Sequence, residues 1–182
     1  MKITVVGRGN VGGGLAQLWE RAGHEVTRLG RDGGDASDAE VVVLAVPSDA
    51  IADALGNVTG LEGKTVIDAT NALKGRGDES ESLAHQVKSI VDGPTAKAFN
   101  LNFAALYDEV GNQRSRPGNL YAADDEAREV TEQLIRDAGY EPVYAGGLEN
   151  ARLLEYHLAL MFAVNQAGLG PFFYRMSGPG EL

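Results

Sequence analysis

Six residues near the amino terminus, Gly7-Arg8-Gly9-Asn10-Val11-Gly12, constrain this chain more than any other stretch. They follow Ile3-Thr4-Val5-Val6, a short β-branched run, and lead into Val11 to Ala22, where Val11, Leu15, Leu18 and Trp19 recur at helical spacing until Gly23 stops the helix. A G-x-G-x-x-G pattern carries little weight alone. Between a strand and a helix it becomes specific, because each glycine then has a task. Gly7 permits the tight turn, Gly9 lets backbone approach a pyrophosphate, and Gly12 lets helix and strand pack closely. The helix then offers its unpaired N–H groups and positive dipole end to phosphate.

The rhythm set there continues. His24 to Leu29 reads as a second strand, and Val41 to Val46 as a third, apolar enough to be covered on both faces. Pro47 ends that strand, Ser48 is placed to cap a helix, and Ile51, Ala52 and Leu55 give the helix an apolar side. Thr65 to Ile67 is a fourth strand and Thr95 to Phe99 a fifth, with a helix over Ser80 to Ile90 between them. Asn119 to Ala123 is a sixth, Asp124 to Ala138 a charged helix ended by Gly139, and Pro142 to Ala145 a seventh strand. Gly75 to Glu81 and Gly111 to Gly118 read as mobile loops. Strands alternating with helices predict an α/β fold, a doubly wound, mostly parallel Rossmann sheet, over residues 1–145. Residues 146–182 hold one apolar-striped helix, Leu148 to about Gly168, and a Gly-rich tail. They are too few for an independent domain, so this extension is expected to dock on a neighbour or a twin subunit.

Composition narrows the partners. With 26 acidic side chains against 16 basic ones, the net charge is −10, which argues against nucleic acid or an anionic membrane surface. No apolar run approaches the roughly 18 residues of a membrane helix, and Met1 to Val6 run straight into a strand without a leader pattern. A cytoplasmic setting is expected. The chain has no Cys, which removes disulfides, thiolate chemistry and Cys-ligated metal.

The end of the second strand indicates which dinucleotide is expected. An NAD site wants Asp or Glu there to accept from the ribose 2′-hydroxyl. This chain has Leu29-Gly30-Arg31, and Arg31 can grip a 2′-phosphate, with Arg8 or Arg28 adding charge. NADP is therefore preferred over NAD. Ala45-Val46-Pro47, Asp68-Ala69-Thr70-Asn71 and Lys97-Ala98-Phe99-Asn100 end successive strands at the same carboxyl edge, where ligands bind in such folds. Their polar residues, Asn71, Lys97 and Asn100 among them, are placed to converge on the nicotinamide side.

Side chains for acid–base chemistry are scarce. Of three His, His24 starts a strand beside Gly23, His85 lies in a polar helix, and His157 shares an apolar helix face with Leu153, Leu160, Met161 and Val164. A structural role suits His24, a solvated one His85, and a packed or interfacial one His157. No nucleophile triad, metalloprotease motif or calcium loop appears. Asp124-Asp125-Glu126 reads as a helix cap, so neither catalytic side chains nor metal ligands are assigned. Hydride transfer between two ring cofactors suits such a chain, since it needs chiefly juxtaposition and exclusion of water.

Taken together, Gly7-Arg8-Gly9-Asn10-Val11-Gly12, Val43-Leu44-Ala45-Val46-Pro47, Val66-Ile67-Asp68-Ala69-Thr70-Asn71, Lys97-Ala98-Phe99-Asn100 and Gly146-Gly147-Leu148-Glu149-Asn150-Ala151-Arg152-Leu153-Leu154-Glu155 resemble the NADPH-dependent coenzyme F420 reductase family. The resemblance runs from Met1 to about Arg175. It implies a Rossmann domain with a small helical extension, a dimer, and NADP held at Arg8-Gly9-Asn10-Val11 with Gly30-Arg31 at the 2′-phosphate and Val46-Pro47 near the nicotinamide. It further implies an F420 or flavin-like acceptor walled by Phe99-Asn100 and the C-terminal segment, with hydride passing between nicotinamide C4 and the deazaflavin C5. Two departures stand out. Gly30 replaces the usual Ser, Thr or Asn, and only Arg31 to Glu40 separate strands two and three, too few for a crossover helix. The second basic residue at the 2′-phosphate is left unassigned.

Two other functions fit parts of the pattern. A reductase of small imine or keto substrates, like pyrroline-carboxylate reductase, would need a large helical domain where only 37 residues follow Ala145. A non-catalytic NADP-binding redox sensor needs only the glycine loop. For the enzyme, the anionic F420 calls for local cations, and Lys97, Arg114 and Arg116 are the candidates.

Overall fold

The computed structural model describes residues 1–72 and 81–180. Its centre is a seven-stranded sheet of order β2-β1-β4-β6-β7-β8-β9. The strands are β1 (Lys2–Val6), β2 (Glu25–Leu29), β4 (Val41–Leu44), β6 (Thr65–Asp68), β7 (Thr95–Lys97), β8 (Gly118–Ala123) and β9 (Glu141–Tyr144). All neighbours run parallel except β7 and β8, which meet antiparallel with Lys97 opposite Ala122. The expected Rossmann sheet is thus present, with one reversed junction near its far edge.

Alternation along the strands explains the layers. Ile3 and Val5, Val41 and Val43, Ile67, and Tyr121 face one side, where Leu15, Ala16 and Trp19 of α1 (Asn10–Arg21) meet Leu134 and Ile135 of α4 (Asp125–Asp137). The Trp19 indole donates to the Leu134 carbonyl at 2.9 Å, which ties the two helices together and satisfies the buried N–H. Val6, Val42, Leu44 and Val66 face the other side, against Ile51 and Leu55 of α2 (Ile51–Gly56) and Leu83, Val87 and Val91 of α3 (Leu83–Val91). Both faces are covered, as a parallel sheet requires.

Several local readings change. Ser48 opens a 3-10 turn, Ser48–Ala50, and makes no capping bond; Pro47 holds the preceding position. Asp124 likewise makes no side-chain cap. Its carboxylate takes Lys88 Nζ at 2.7 Å and Thr95 N–H at 2.8 Å, while Asp125 and Glu126 supply acid to the first turn of α4. Where a crossover helix is missing, Gly34–Asp35 (β3) pairs with Val58–Thr59 (β5), a small ladder that periodicity does not reveal. The loop expected over Gly111 to Gly118 is partly structured, since the 3-10 segment Ala104–Asn112 precedes it and Gly118 is buried. The Gly75 to Glu81 loop and the start of the helix expected from Ser80 lie almost wholly outside the described residues.

The C-terminal helix is shorter than its apolar stripe suggests. A 3-10 turn, Leu148–Asn150, leads into α5 (Ala151–Val164), a π-turn over Asn165–Leu169 follows, and Gly168 leaves helical geometry at φ +113°. Leu148, Ala151, Leu154 and Met161 of this segment pack on Ala84, Leu101 and Ala122. The tail then returns along β8, where Gly118 N–H donates to the Tyr174 carbonyl at 2.6 Å and Leu120 N–H to the Tyr174 hydroxyl at 3.0 Å. Among the described residues no helix is long and apolar enough to cross a membrane.

Candidate functional site

One register row runs across the sheet at its carboxyl edge: Leu29 beside Val6, Val6 beside Leu44, Leu44 beside Asp68, Asp68 beside Lys97. The residues expected from the sequence to hold the cofactor lie on this row or within six residues after it. The fold therefore gathers them along a single line.

At its start the glycine loop is built as the motif requires. Gly7 has φ +117°, and a Cβ there would collide with the Ala45 carbonyl oxygen. A Cβ on Gly12 would strike the Gly7 carbonyl oxygen and reach the Ala45 Cβ at 3.2 Å. Gly9 is the N-cap of α1 and differs in kind: a Cβ there would meet nothing within 4 Å. The space above the helix start is open, no side chain caps α1, and its first turn carries no acid. Such an end suits an anion. Asn10 is exposed and Val11 half-buried against the core, while Ala45 and Val46 are half-buried beside Gly7 and Pro47 is exposed.

Arg8 is the side chain that meets Gly30. Its guanidinium donates to the Arg28 carbonyl through Nε at 3.2 Å and Nη2 at 2.9 Å. That bond lays it over Gly30, where a Cβ would come within 3.4 Å of Cζ and Nε. Arg8 thus covers Gly30 at contact distance. The exposed Arg31 follows immediately, in a turn closed by Gly33 N–H on the Gly30 carbonyl at 3.2 Å, and its guanidinium has no partner among the described residues. Arg28 is held instead by Glu20 at 2.6 Å. Two guanidinium groups, those of Arg8 and Arg31, thus stand at the carboxyl end of β2.

The other end of the row is closed. Lys97 is wholly buried, and its ammonium meets Asp68 Oδ2 at 2.8 Å, the Thr70 carbonyl at 2.7 Å and Glu155 Oε1 at 3.3 Å. It points inward to these groups rather than out to the edge. Phe99 is also buried, stacked edge-on against Trp19 with centroids 5.6 Å apart. Its φ of 61° lies in the left-handed region, a strained setting for a side chain that bears a ring. The Asn119 side chain accepts from Phe99 N–H at 3.3 Å and helps hold that turn. Asn71 and Asn100 clasp each other: Asn71 Nδ2 donates to the Asn100 carbonyl at 2.7 Å, and Asn100 Nδ2 to Asn71 Oδ1 at 3.2 Å and to the Leu154 carbonyl at 3.3 Å.

Sequence reasoning placed Asp68 at the ligand edge and gave Glu155 no role, and it did not pair either with Lys97. The available signal was Lys97 itself. A lysine inside the apolar run Thr95 to Phe99 demands a carboxylate partner, because burying an unpaired ammonium is prohibitive. Of the other cations considered for an acceptor, Arg114 and Arg116 are exposed just before β8. His24 is structural, joining the N-terminal amine at 3.2 Å to Asp137 at 2.9 Å. His85 is half-buried beside Ser82, and half-buried His157 lies on α5.

No family model matches the chain, and no curated protein does. Solved structures do. A protein from Arthrobacter sp. FB24 described as a presumptive F420-dependent NADP reductase superposes with a TM-score of 0.83 at 22% identity, over 98% of this chain and all (100%) of that one. A hypothetical protein from Sinorhizobium meliloti gives 0.69 at 25% identity, over 81% of this chain and 86% of its own. A reductive aminase from Aspergillus terreus, solved with NADPH and ethyl levulinate, gives 0.69 at 17% identity, and this chain spans 63% of it. The chain therefore has the Rossmann-type fold of these reductase structures, at nearly full length in the first case.

Proposed function

We propose that the protein is an NADP(H)-dependent oxidoreductase that passes hydride between nicotinamide and a deazaflavin or flavin-like small molecule. The observation that carries this reading is Arg8 lying over Gly30 beside Arg31, at the strand end where a 2′-phosphate is told from a 2′-hydroxyl. The open space at Gly9 and the uncapped start of α1 fit the pyrophosphate. Bound NADPH supplies the hydride. The chain's own contribution is to hold and orient: the backbone at Gly7 to Gly12 takes the phosphates, and Ala45-Val46-Pro47 with the Asn71–Asn100 clasp forms the floor further along the edge. Arg114 and Arg116 are the exposed cations offered to an anionic acceptor such as F420.

A second copy of the chain belongs to this proposal. Leu153, Tyr156 and Leu160 on the outer side of α5 are 62%, 61% and 55% exposed, a large apolar face for one helix. Leu160→Glu should halve the mass measured by sedimentation if that face pairs with its twin.

The test of the activity is NADPH titration beside NADPH oxidation with F420 and, separately, FMN. Turnover with one acceptor identifies it. Tight NADPH binding without turnover on either would leave a redox-sensing module, and failure to bind NADPH would remove the proposal.

A further inference from the structure

We propose that Lys97 is a positioning residue of the hydride-transfer site: its buried ammonium sets the nicotinamide end of the cofactor while contributing nothing to the adenosine end. The inference rests on the NADP(H) reading above. Three observations lead to it. First, the wholly buried ammonium donates to the Asp68 carboxylate and the Thr70 carbonyl and forms an ion pair with Glu155 at 3.3 Å. Second, those acceptors belong to three separate pieces of chain. Asp68 ends β6 and accepts Thr70 N–H at 2.8 Å through its other oxygen, Thr70 begins the loop toward Asn71, and Glu155 lies on α5. Third, Glu155 also accepts Leu83 N–H at the start of α3 at 2.7 Å, and the neighbouring Leu154 carbonyl receives Asn100.

One ammonium therefore fixes the loop after β6, the end of β7 and the docked helix α5 relative to one another, and the Asn71–Asn100 clasp is the part of that assembly at the edge. Stability alone does not call for such a group. A buried ion cluster replaced by apolar residues of like volume is commonly as stable or more so. What the charges add is direction: two short hydrogen bonds and an ion pair favour one arrangement of the loops. Thr70 Oγ1 and Asn100 Oδ1 are buried there without a hydrogen-bond partner among the described residues, which leaves polar atoms at this edge for a ligand amide to meet.

The experiment separates the two ends of the cofactor. The full chain, Lys97→Met and Glu155→Gln would be titrated with 2′,5′-ADP, which carries the adenosine and 2′-phosphate but no nicotinamide, and with NADPH, read by its nicotinamide fluorescence. Hydride transfer to F420 and FMN would be measured beside them. The expected result is 2′,5′-ADP affinity unchanged within about twofold, loss of the bound-NADPH fluorescence signal, and a fall in kcat of at least about tenfold, since small misplacements at a reacting centre are costly. Glu155→Gln keeps size and an acceptor, so it should fold even where Lys97→Met does not, and should move the same readouts less. Unaltered nicotinamide fluorescence and turnover in both variants would overturn the inference. So would equal losses of 2′,5′-ADP and NADPH affinity, which would mark Lys97 as support for the whole fold. If the unaltered chain bound no 2′,5′-ADP, the NADP(H) reading itself would fall, and this inference with it.

Discussion

At the β2 end of the carboxyl edge, the groups available to a ligand are backbone N–H and two exposed guanidinium groups, and the space above Gly9 is empty of side chains. At the β7 end, Lys97, Phe99 and Asn100 are buried and bonded to one another's neighbours across β6, β8 and α5. The same sheet edge thus carries an open half, suited to gripping phosphate by charge and dipole, and a closed half, suited to holding shape. Affinity and alignment are separable tasks, and here they are given to different strands. That division makes the molecule testable, because damage to one half should leave the other's readout standing.

The hardest blow to the open half is Gly7→Ala. At φ +117° and against the Ala45 carbonyl, the added methyl has no relief. A cost of roughly 3 kcal/mol is expected, lowering Tm by about 6–12 °C in thermal unfolding, with NADPH binding lost. Next comes Arg31→Ala, which should weaken NADPH by about tenfold or more in titration and leave NADH unchanged, since a charge-assisted bond to phosphate contributes about 1.5–3 kcal/mol. A smaller effect, within about threefold on NADPH alone, is expected from Gly30→Ser, whose Cβ would stand in ordinary contact, 3.4 Å, with the Arg8 guanidinium. In each of the latter two, the nicotinamide fluorescence of whatever NADPH still binds should keep its wild-type form. A change there would break the proposed division.

The smallest effect lies away from both halves. The Tyr121 hydroxyl, then Arg136 and Arg128, hold the Glu132 carboxyl at a pKa of about 2, below its ordinary 4.5. A depressed carboxyl stabilises the fold above its unfolded value and loses that contribution as pH falls from 4.5 toward about 2. Thermal unfolding should therefore show a modest acid-induced decline that Glu132→Gln flattens, with 2′,5′-ADP affinity indifferent to the substitution.

The open half was legible in the residues because its constraints are local. A glycine that must turn, a glycine that must pack and an arginine after a strand all announce themselves within a few positions. The closed half was only half legible. Lys97 and Asn100 could be placed at the edge from strand ends, yet whether Lys97 faces a ligand or Glu155 depends on a helix 58 residues further along, and no short pattern carries that information. The β3–β5 ladder escaped for a related reason, since two-residue strands leave no periodicity to read. Arg8 was named among the loop residues, but its support by the Arg28 carbonyl is a contact from that loop to the neighbouring strand, visible only once β1 and β2 are paired.

The order of the strands has one more consequence. β2 and β9 form the two rims of the sheet, and neither invites a new neighbour. β9 contains Pro142, which has no N–H to offer, and β2 places Glu25 and Arg28 among its five residues. Charges and proline on rim strands discourage end-to-end joining of sheets. Growth of this fold into fibres or continuous sheets is accordingly discouraged at both margins.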